Sequence, residues 1–170
     1  YSISKIAQET VVRFAAQEHG VPLTIARLSV PYGDNGGWPF WHAVMMQKGI
    51  PVTVHPEQPN QYAPLHADDY CRHIPYLLAA ATPEATIVNW GGGLVVSIED
   101  WCAWISELTG FEARFDLQPS AFGSLVPDTG RLQAILGSEP VSTVDWKDGV
   151  LRLLRCMGPQ WLKEEWQQPA

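Results

Sequence analysis

A helix-period segment that runs straight into a proline-bounded apolar stretch of strand length is the feature that most restricts this chain. Ile3, Ile6, Ala7, Val11, Phe14 and Ala15 recur at the spacing of one helix face, and Gly20 follows as a C-terminal cap. Pro22 then opens Leu-Thr-Ile-Ala-Arg-Leu-Ser-Val over residues 23–30, and Pro31 closes it. A near-continuous apolar run of that length reads as a buried strand of a parallel sheet, so the chain is expected to be α/β. The alternation continues. Residues 39–48 read as a helix with Pro39 in its first turn and Gly49 beyond it, and residues 51–55 as a short alternating strand. An extended piece over 62–66 leads to Asp68 and Asp69, whose carboxylates suit the start of a helix that Pro75 should bend. Residues 86–90 read as a strand that leaves through Gly91, Gly92 and Gly93. Ser97 to Asp100 has the form of a capping box before a helix with Trp101, Ile105 and Leu108 on its apolar face and Gly110 at its end. A short strand over 113–117, a helix over 131–136 and a last helix over 144–157 complete the pattern. Residues 31–39, rich in Gly and Pro, are expected to form a long loop.

Composition narrows the partners. The net charge is −7, whereas a phosphate-tracking protein needs an excess of basic side chains, so no nucleic-acid partner is expected. No apolar run approaches the roughly 20 residues that span a bilayer, and no basic-then-apolar leader opens the chain, so no membrane partner and a cytoplasmic location are expected. Cys71, Cys102 and Cys156 are an odd set at wide spacings without a CxxC pair, which fits reduced thiols. His66, Asp68, Asp69, Cys71 and His73 are dense, but a helix beginning at Asp68 spreads them around its circumference, and no metal site is expected. The first residue is Tyr1 and not Met, so the chain is expected to be part of a longer one.

Tyr1 and Lys5 stand four residues apart at the start of the first helix, one turn apart on one face. An ammonium held beside a phenol favours the phenolate and lowers its pKa from a reference of about 10, which lets a tyrosine act as general acid or base near neutral pH. Spacing alone is weak, since such pairs are common on helices, and the surroundings carry more. Tyr1-Ser2-Ile3-Ser4-Lys5, a helix holding Glu9, a Gly-Val-Pro turn, a strand with Ala26-Arg27-Leu28, and Pro31-Tyr32-Gly33 follow one another. In that order they resemble the extended short-chain dehydrogenase/reductases, the NAD-dependent epimerase/dehydratase family. Leu65-His66-Ala67-Asp68-Asp69 is similar to the family's hVDD segment and Asn89-Trp90-Gly91-Gly92-Gly93 to its N-x-G strand exit. Asp128 with Arg131, Leu136-Gly137 and Asp148-Gly149 are similar to its C-terminal signature. The likeness covers nearly the whole chain but only the second half of a family member.

The resemblance implies the C-terminal part of a Rossmann-type doubly wound parallel sheet plus a small mixed α/β substrate-binding lobe. Residues 1–33 would complete the dinucleotide-binding domain. Residues 34–170 would be mainly the substrate lobe, with a strand and helix returning to the sheet. Tyr1 would exchange a proton with the substrate oxygen as hydride moves to or from a nicotinamide. Lys5 would lower the tyrosine pKa and hold the nicotinamide ribose. Leu28, Ser29 and Val30 would pass beside the nicotinamide, with Arg27 either near the ligand or in a buried ion pair. Val30, Tyr32, Asn35, Trp38, Tyr62 and His66 would face the substrate. The cofactor would be NAD or NADP, the partner a small molecule, and the first helix a place for a homodimer contact.

Departures from the family pattern also inform. Nucleotide-sugar members commonly carry Asn where this chain has Val30, and Arg where it has Tyr62, a guanidinium suited to a diphosphate. With the abundance of Trp, including Trp38, Trp41 and Trp90, this points to a less charged ligand on aromatic walls. No GxGxxG or GxxGxxG turn occurs, so the pyrophosphate would be held mainly by residues before Tyr1, and the chain alone is not expected to hold the cofactor well or to be active. A hydrolase reading lacks its GxSxG elbow. Two other readings stay open: a non-catalytic binding or regulatory module on the same scaffold, and a carbohydrate-binding surface built on the tryptophans.

Overall fold

Local signals set most element ends in the computed structural model, which describes residues 1–167. Helix α1 (Ser2–His19) stops where Gly20 takes the left-handed conformation at φ 63°. Strand β1 (Thr24–Leu28) follows, then β2 (Pro31–Gly33) and β3 (Gly36–Gly37). The expected loop over 31–39 is therefore a tight hairpin that runs directly into α2 (Trp38–Gln47). Its reason is not local. Tyr32 is buried, and Gly37 lies so close that a Cβ there would sit 2.6 Å from the Cβ of Tyr32, so only glycine lets the two strands meet.

The chain continues through β4 (Val52–Val54), β5 (Gln61–Tyr62), β6 (Leu65–His66), α3 (Ala67–Ala79) and β7 (Thr86–Trp90). Strand β8 (Val96–Ser97) feeds α4 (Ile98–Thr109), whose capping box forms as expected: Asp100 N–H donates to Ser97 Oγ at 2.9 Å and Ser97 N–H to Asp100 Oδ2 at 3.1 Å. Then come β9 (Phe115–Leu117), α5 (Gly130–Leu136), α6 (Trp146–Met157), a 3-10 turn (Pro159–Trp161) and α7 (Glu164–Gln167).

Strand β1 runs parallel to β7, pairing Thr24 with Thr86 through Leu28 with Trp90. Past its end the chain crosses to β6: Leu65 N–H donates to Val30 O at 3.0 Å, and β2 pairs with β6 in parallel. Strands β4 and β9 are also parallel, while β5 and β8 are antiparallel. Parallel pairs with helical connections are the α/β pattern that the sequence implied. Two apolar clusters fill the interior. The larger joins α2, β4, α4 and α6 through Met46, Val52, Trp101, Ile105 and Leu153, and the smaller joins α3, β7 and α5 through Leu77, Val88 and Leu132.

Helix α3 differs from expectation at its start. His66 caps it, its Nδ1 accepting the Asp68 N–H at 3.1 Å, whereas Asp69 is fully buried and reaches away to residues 143–144. The helix continues through Pro75. Among the described residues no helix is long and apolar enough to cross a membrane. The three cysteines are free, and burial pushes the Cys102 thiol up to about 12.

Candidate active site

Tyr1 caps α1 and Lys5 stands one turn along it. Lys5 N–H donates to Tyr1 O at 3.1 Å, and the Lys5 ammonium lies 5.4 Å from the centre of the Tyr1 ring. Lys5 Nζ also reaches Gln8 Oε1 at 3.5 Å. Both side chains open into a cleft of about 540 Å³ between α1 and β1, which continues along the strand to Leu28. A fork from Arg27 ties helix to strand, Nε and Nη2 donating to Glu9 at 2.8 and 2.7 Å. This pair lies at the surface and is not buried, so solvent screening limits it to under about 1 kcal/mol.

The carboxyl end of β1 turns inward. Leu28 is exposed, but Ser29 and Val30 are buried, and the Ser29 N–H donates to Trp90 O at 2.8 Å. The Ser29 hydroxyl, also buried, has no hydrogen-bond partner among the described residues. A buried hydroxyl without a partner is costly and unusual in a folded protein.

Beyond it, Tyr32 packs edge-on against His66 with ring centres 5.2 Å apart. Burial first, then the carboxylates of Asp145 and Asp69, push the Tyr32 phenol far up, so it stays protonated. His66 is 2% exposed, and its Nε2 lies 3.7 Å from Asp34 Oδ1. Arg152 spans the same corner, Nη2 donating to Asp34 and Nη1 to Asp68, both at 2.8 Å. Asn35 is exposed at the hairpin tip.

Trp38 and Tyr62 line a second cleft of about 220 Å³ that shares no lining residue with the first. Tyr62 is buried, and its hydroxyl lies 3.0 Å from both Phe122 O and Gly123 O. His42 joins this wall. The sequence reading passed over it, although its i, i+4 spacing from Trp38 on α2 offered a signal. Trp101 Nε1–H donates to His42 Nδ1 at 2.8 Å, and burial holds the imidazole down to about 4, so it is neutral at pH 7. The sequence candidates thus fall into three groups: Tyr1, Lys5 and Leu28 in one cleft, Trp38 and Tyr62 in another, and Tyr32 with His66 at the Arg152 corner. Among the described residues no three His, Cys, Asp or Glu side chains gather where they could hold a metal ion.

Parallel strand pairs joined through helices define an α/β protein of the Rossmann-like kind. A sequence match covers residues 1–91, and the chain belongs to the NAD dependent epimerase/dehydratase family. Among solved structures, it is similar to DesIV, a dTDP-glucose 4,6-dehydratase from Streptomyces venezuelae with NAD and TYD bound (TM-score 0.74, 23% identity, 98% of this chain and 53% of that one). It is also similar to UDP-glucuronic acid 4-epimerase from Bacillus cereus in complex with UDP-glucuronic acid and NAD (0.74, 20%, 92% and 51%). A third is UDP-glucose 4-epimerase from Thermotoga maritima with UDP-glucose (0.70, 21%, 90% and 51%). These likenesses establish the fold, matching the C-terminal portion of the solved enzymes. The chain spans about half the length of each. No curated protein matches it.

Proposed function

We propose that the chain carries the catalytic pair and the substrate-binding part of an NAD(P)-dependent epimerase, dehydratase or reductase acting on a small molecule. The observation that carries this reading is the Tyr1–Lys5 pair opening into a cleft that runs along β1 to its carboxyl end. Ligands of open α/β sheets bind outside the carboxyl ends of parallel strands. The Tyr1 hydroxyl gives or takes the proton at the substrate oxygen, and the Lys5 ammonium favours the phenolate by charge. A nicotinamide, when bound, supplies the hydride acceptor or donor for a carbinol or ketone carbon.

Tyr1, Lys5, Leu28, Ser29 and Val30 fit the ribose and ring end of that cofactor, and the unpartnered Ser29 hydroxyl is the group most in need of an added acceptor or donor. The pyrophosphate falls to residues outside this chain, which lacks the glycine-rich turn. NAD is the first choice because the solved relatives hold it. Residues 1–33 serve the cofactor side. Residues 34–170 serve mainly the substrate, with Val30, Tyr32, Asn35, Trp38, Tyr62 and His66 around it. The exposed Ile3, Ile6, Val11 and Phe14 offer a face for a second copy. The reading places the enzyme in the cytoplasm, which three free cysteines suit.

The test is Tyr1→Phe in the complete protein, assayed with NAD and NADP against carbinol and ketone substrates. Loss of about 100-fold or more in kcat is expected. Thermal unfolding should not change, because Tyr1 is 92% exposed. Activity untouched by the substitution would return the chain to a non-catalytic binding module.

A further inference from the structure

The outer face of α4 and the first turn of α6 bound a cleft of about 310 Å³ that shares no lining residue with the two described above. We propose that it is a site for a small quaternary ammonium compound, received on the faces of Trp104 and Trp146 and held by the carboxylates of Asp100 and Glu107.

The sequence builds this face directly. Asp100, Ala103, Trp104 and Glu107 stand at i, i+3, i+4 and i+7 of α4, so one side of the helix carries an aromatic ring between two carboxylates. Trp146 opens α6 and supplies the second ring. Trp104 is fixed twice. Its Nε1–H donates to Lys147 O at 3.0 Å, and Trp166 packs edge-on against it, with 5.6 Å between ring centres and 75° between planes. Both Trp104 and Trp146 also rest on the larger apolar cluster, so the rings are in place before a ligand arrives.

A cation already occupies the rings. The Lys147 ammonium stands 5.0 Å from the Trp104 ring centre and 5.7 Å from that of Trp146, both within the reach of a cation–π contact. Neither an ion pair nor the helix favours that position. Among the described residues no ion pair involves Lys147, and it lies in the first turn of α6, where the positive end of the helix dipole disfavours a cation. The two faces receive the charge themselves.

Lys147 is a weak occupant. Its primary ammonium is strongly hydrated, the residue is exposed, and holding it over the rings fixes a flexible four-carbon stem. A quaternary ammonium gives up less water, has no N–H in need of an acceptor, and sets methyl groups against both rings. Asp100 and Glu107 make no ion pair among the described residues, so their charge is left for such a guest. Ligand clefts begin at about 300 Å³, so this one takes a head group of choline size.

The test is a 15N indole NMR titration of the full chain with choline, beside its neutral carbon isostere 3,3-dimethyl-1-butanol. Choline should shift the Trp104 and Trp146 indole resonances and bind at least about tenfold more tightly than the alcohol. Lys147→Met removes the competing ammonium but keeps the backbone oxygen that Trp104 uses, and it should tighten choline at least about threefold with thermal unfolding little changed. Glu107→Gln, at an exposed position, should weaken choline about two- to threefold. Absence of indole shifts, alcohol binding as tight as choline, or an affinity that either substitution leaves alone would each overturn the proposal.

Discussion

Asp69 Oδ1 takes two hydrogen bonds from one residue 74 positions away, Thr143, whose N–H donates at 2.9 Å and whose Oγ1–H donates at 2.6 Å. Val144 N–H reaches the other oxygen at 3.2 Å, and Arg72 Nη2 reaches Oδ1 at 3.2 Å. Burial would raise this carboxyl's pKa, but the bonds from Thr143, Val144 and Arg72 together outweigh it and hold the group below its ordinary value. Asp69→Ala strands those donors inside the protein and is expected to cost about 3–5 kcal/mol, measured by urea unfolding. Because the folded pKa is depressed, this stabilisation is whole above the unfolded value of about 3.9 and is lost as pH falls through the folded pKa. Wild type should therefore lose stability on that limb, and Asp69→Ala should lose less.

His42 gives a second pH dependence at a higher range. Its folded pKa is about 4, against 6.5 for an ordinary histidine, through burial alone. The unfolded chain takes up a proton at this site before the folded one does. Stability is thus full above about 6.5 and declines as pH falls toward about 4, by at most about 3.4 kcal/mol at 1.36 kcal/mol per unit. His42→Phe should flatten that part of the profile. It should also lower stability at pH 7 by about 1–3 kcal/mol, because the Trp101 indole N–H loses its acceptor.

Gly149 sets the distance between α6 and the hairpin. A Cβ at this position would lie 2.6 Å from Tyr32 Oη, 2.8 Å from its ring edge and 3.1 Å from His66. Gly149→Ala must move a buried ring, and a loss of about 1–3 kcal/mol in unfolding free energy is expected despite alanine's better helix propensity. A more stable variant would mean that Tyr32 is free to yield.

What the sequence made legible is what neighbours in sequence decide. Gly20, Gly110 and the Ser97–Asp100 box mark helix ends because caps bond within a few residues. The Tyr1–Lys5 pair could be read for the same reason, and the ordered motifs around it led to the family that the match over residues 1–91 established. The hairpin over residues 31–37 escaped because it depends on the burial of Tyr32 and not on its own composition. Asp69 reads locally as a helix-start carboxylate, and only contact across the fold makes it a latch to residues 143–144. His42 was passed over because its meaning depends on Trp101, 59 residues further on. Arg27 was weighed as a buried pair, but α1 leaves its strand open enough for water to reach the fork with Glu9.

The Arg152 clamp has a thermodynamic consequence for whatever meets the hairpin tip. One guanidinium fastens Asp34 beside that tip and Asp68 in the first turn of α3 to the body of α6. Both pairs lie at the surface, their side chains 40–55% exposed, so solvent screening limits each to under about 1 kcal/mol and the tip keeps part of its freedom. Anything that meets this edge should therefore spend part of its binding energy on ordering the tip.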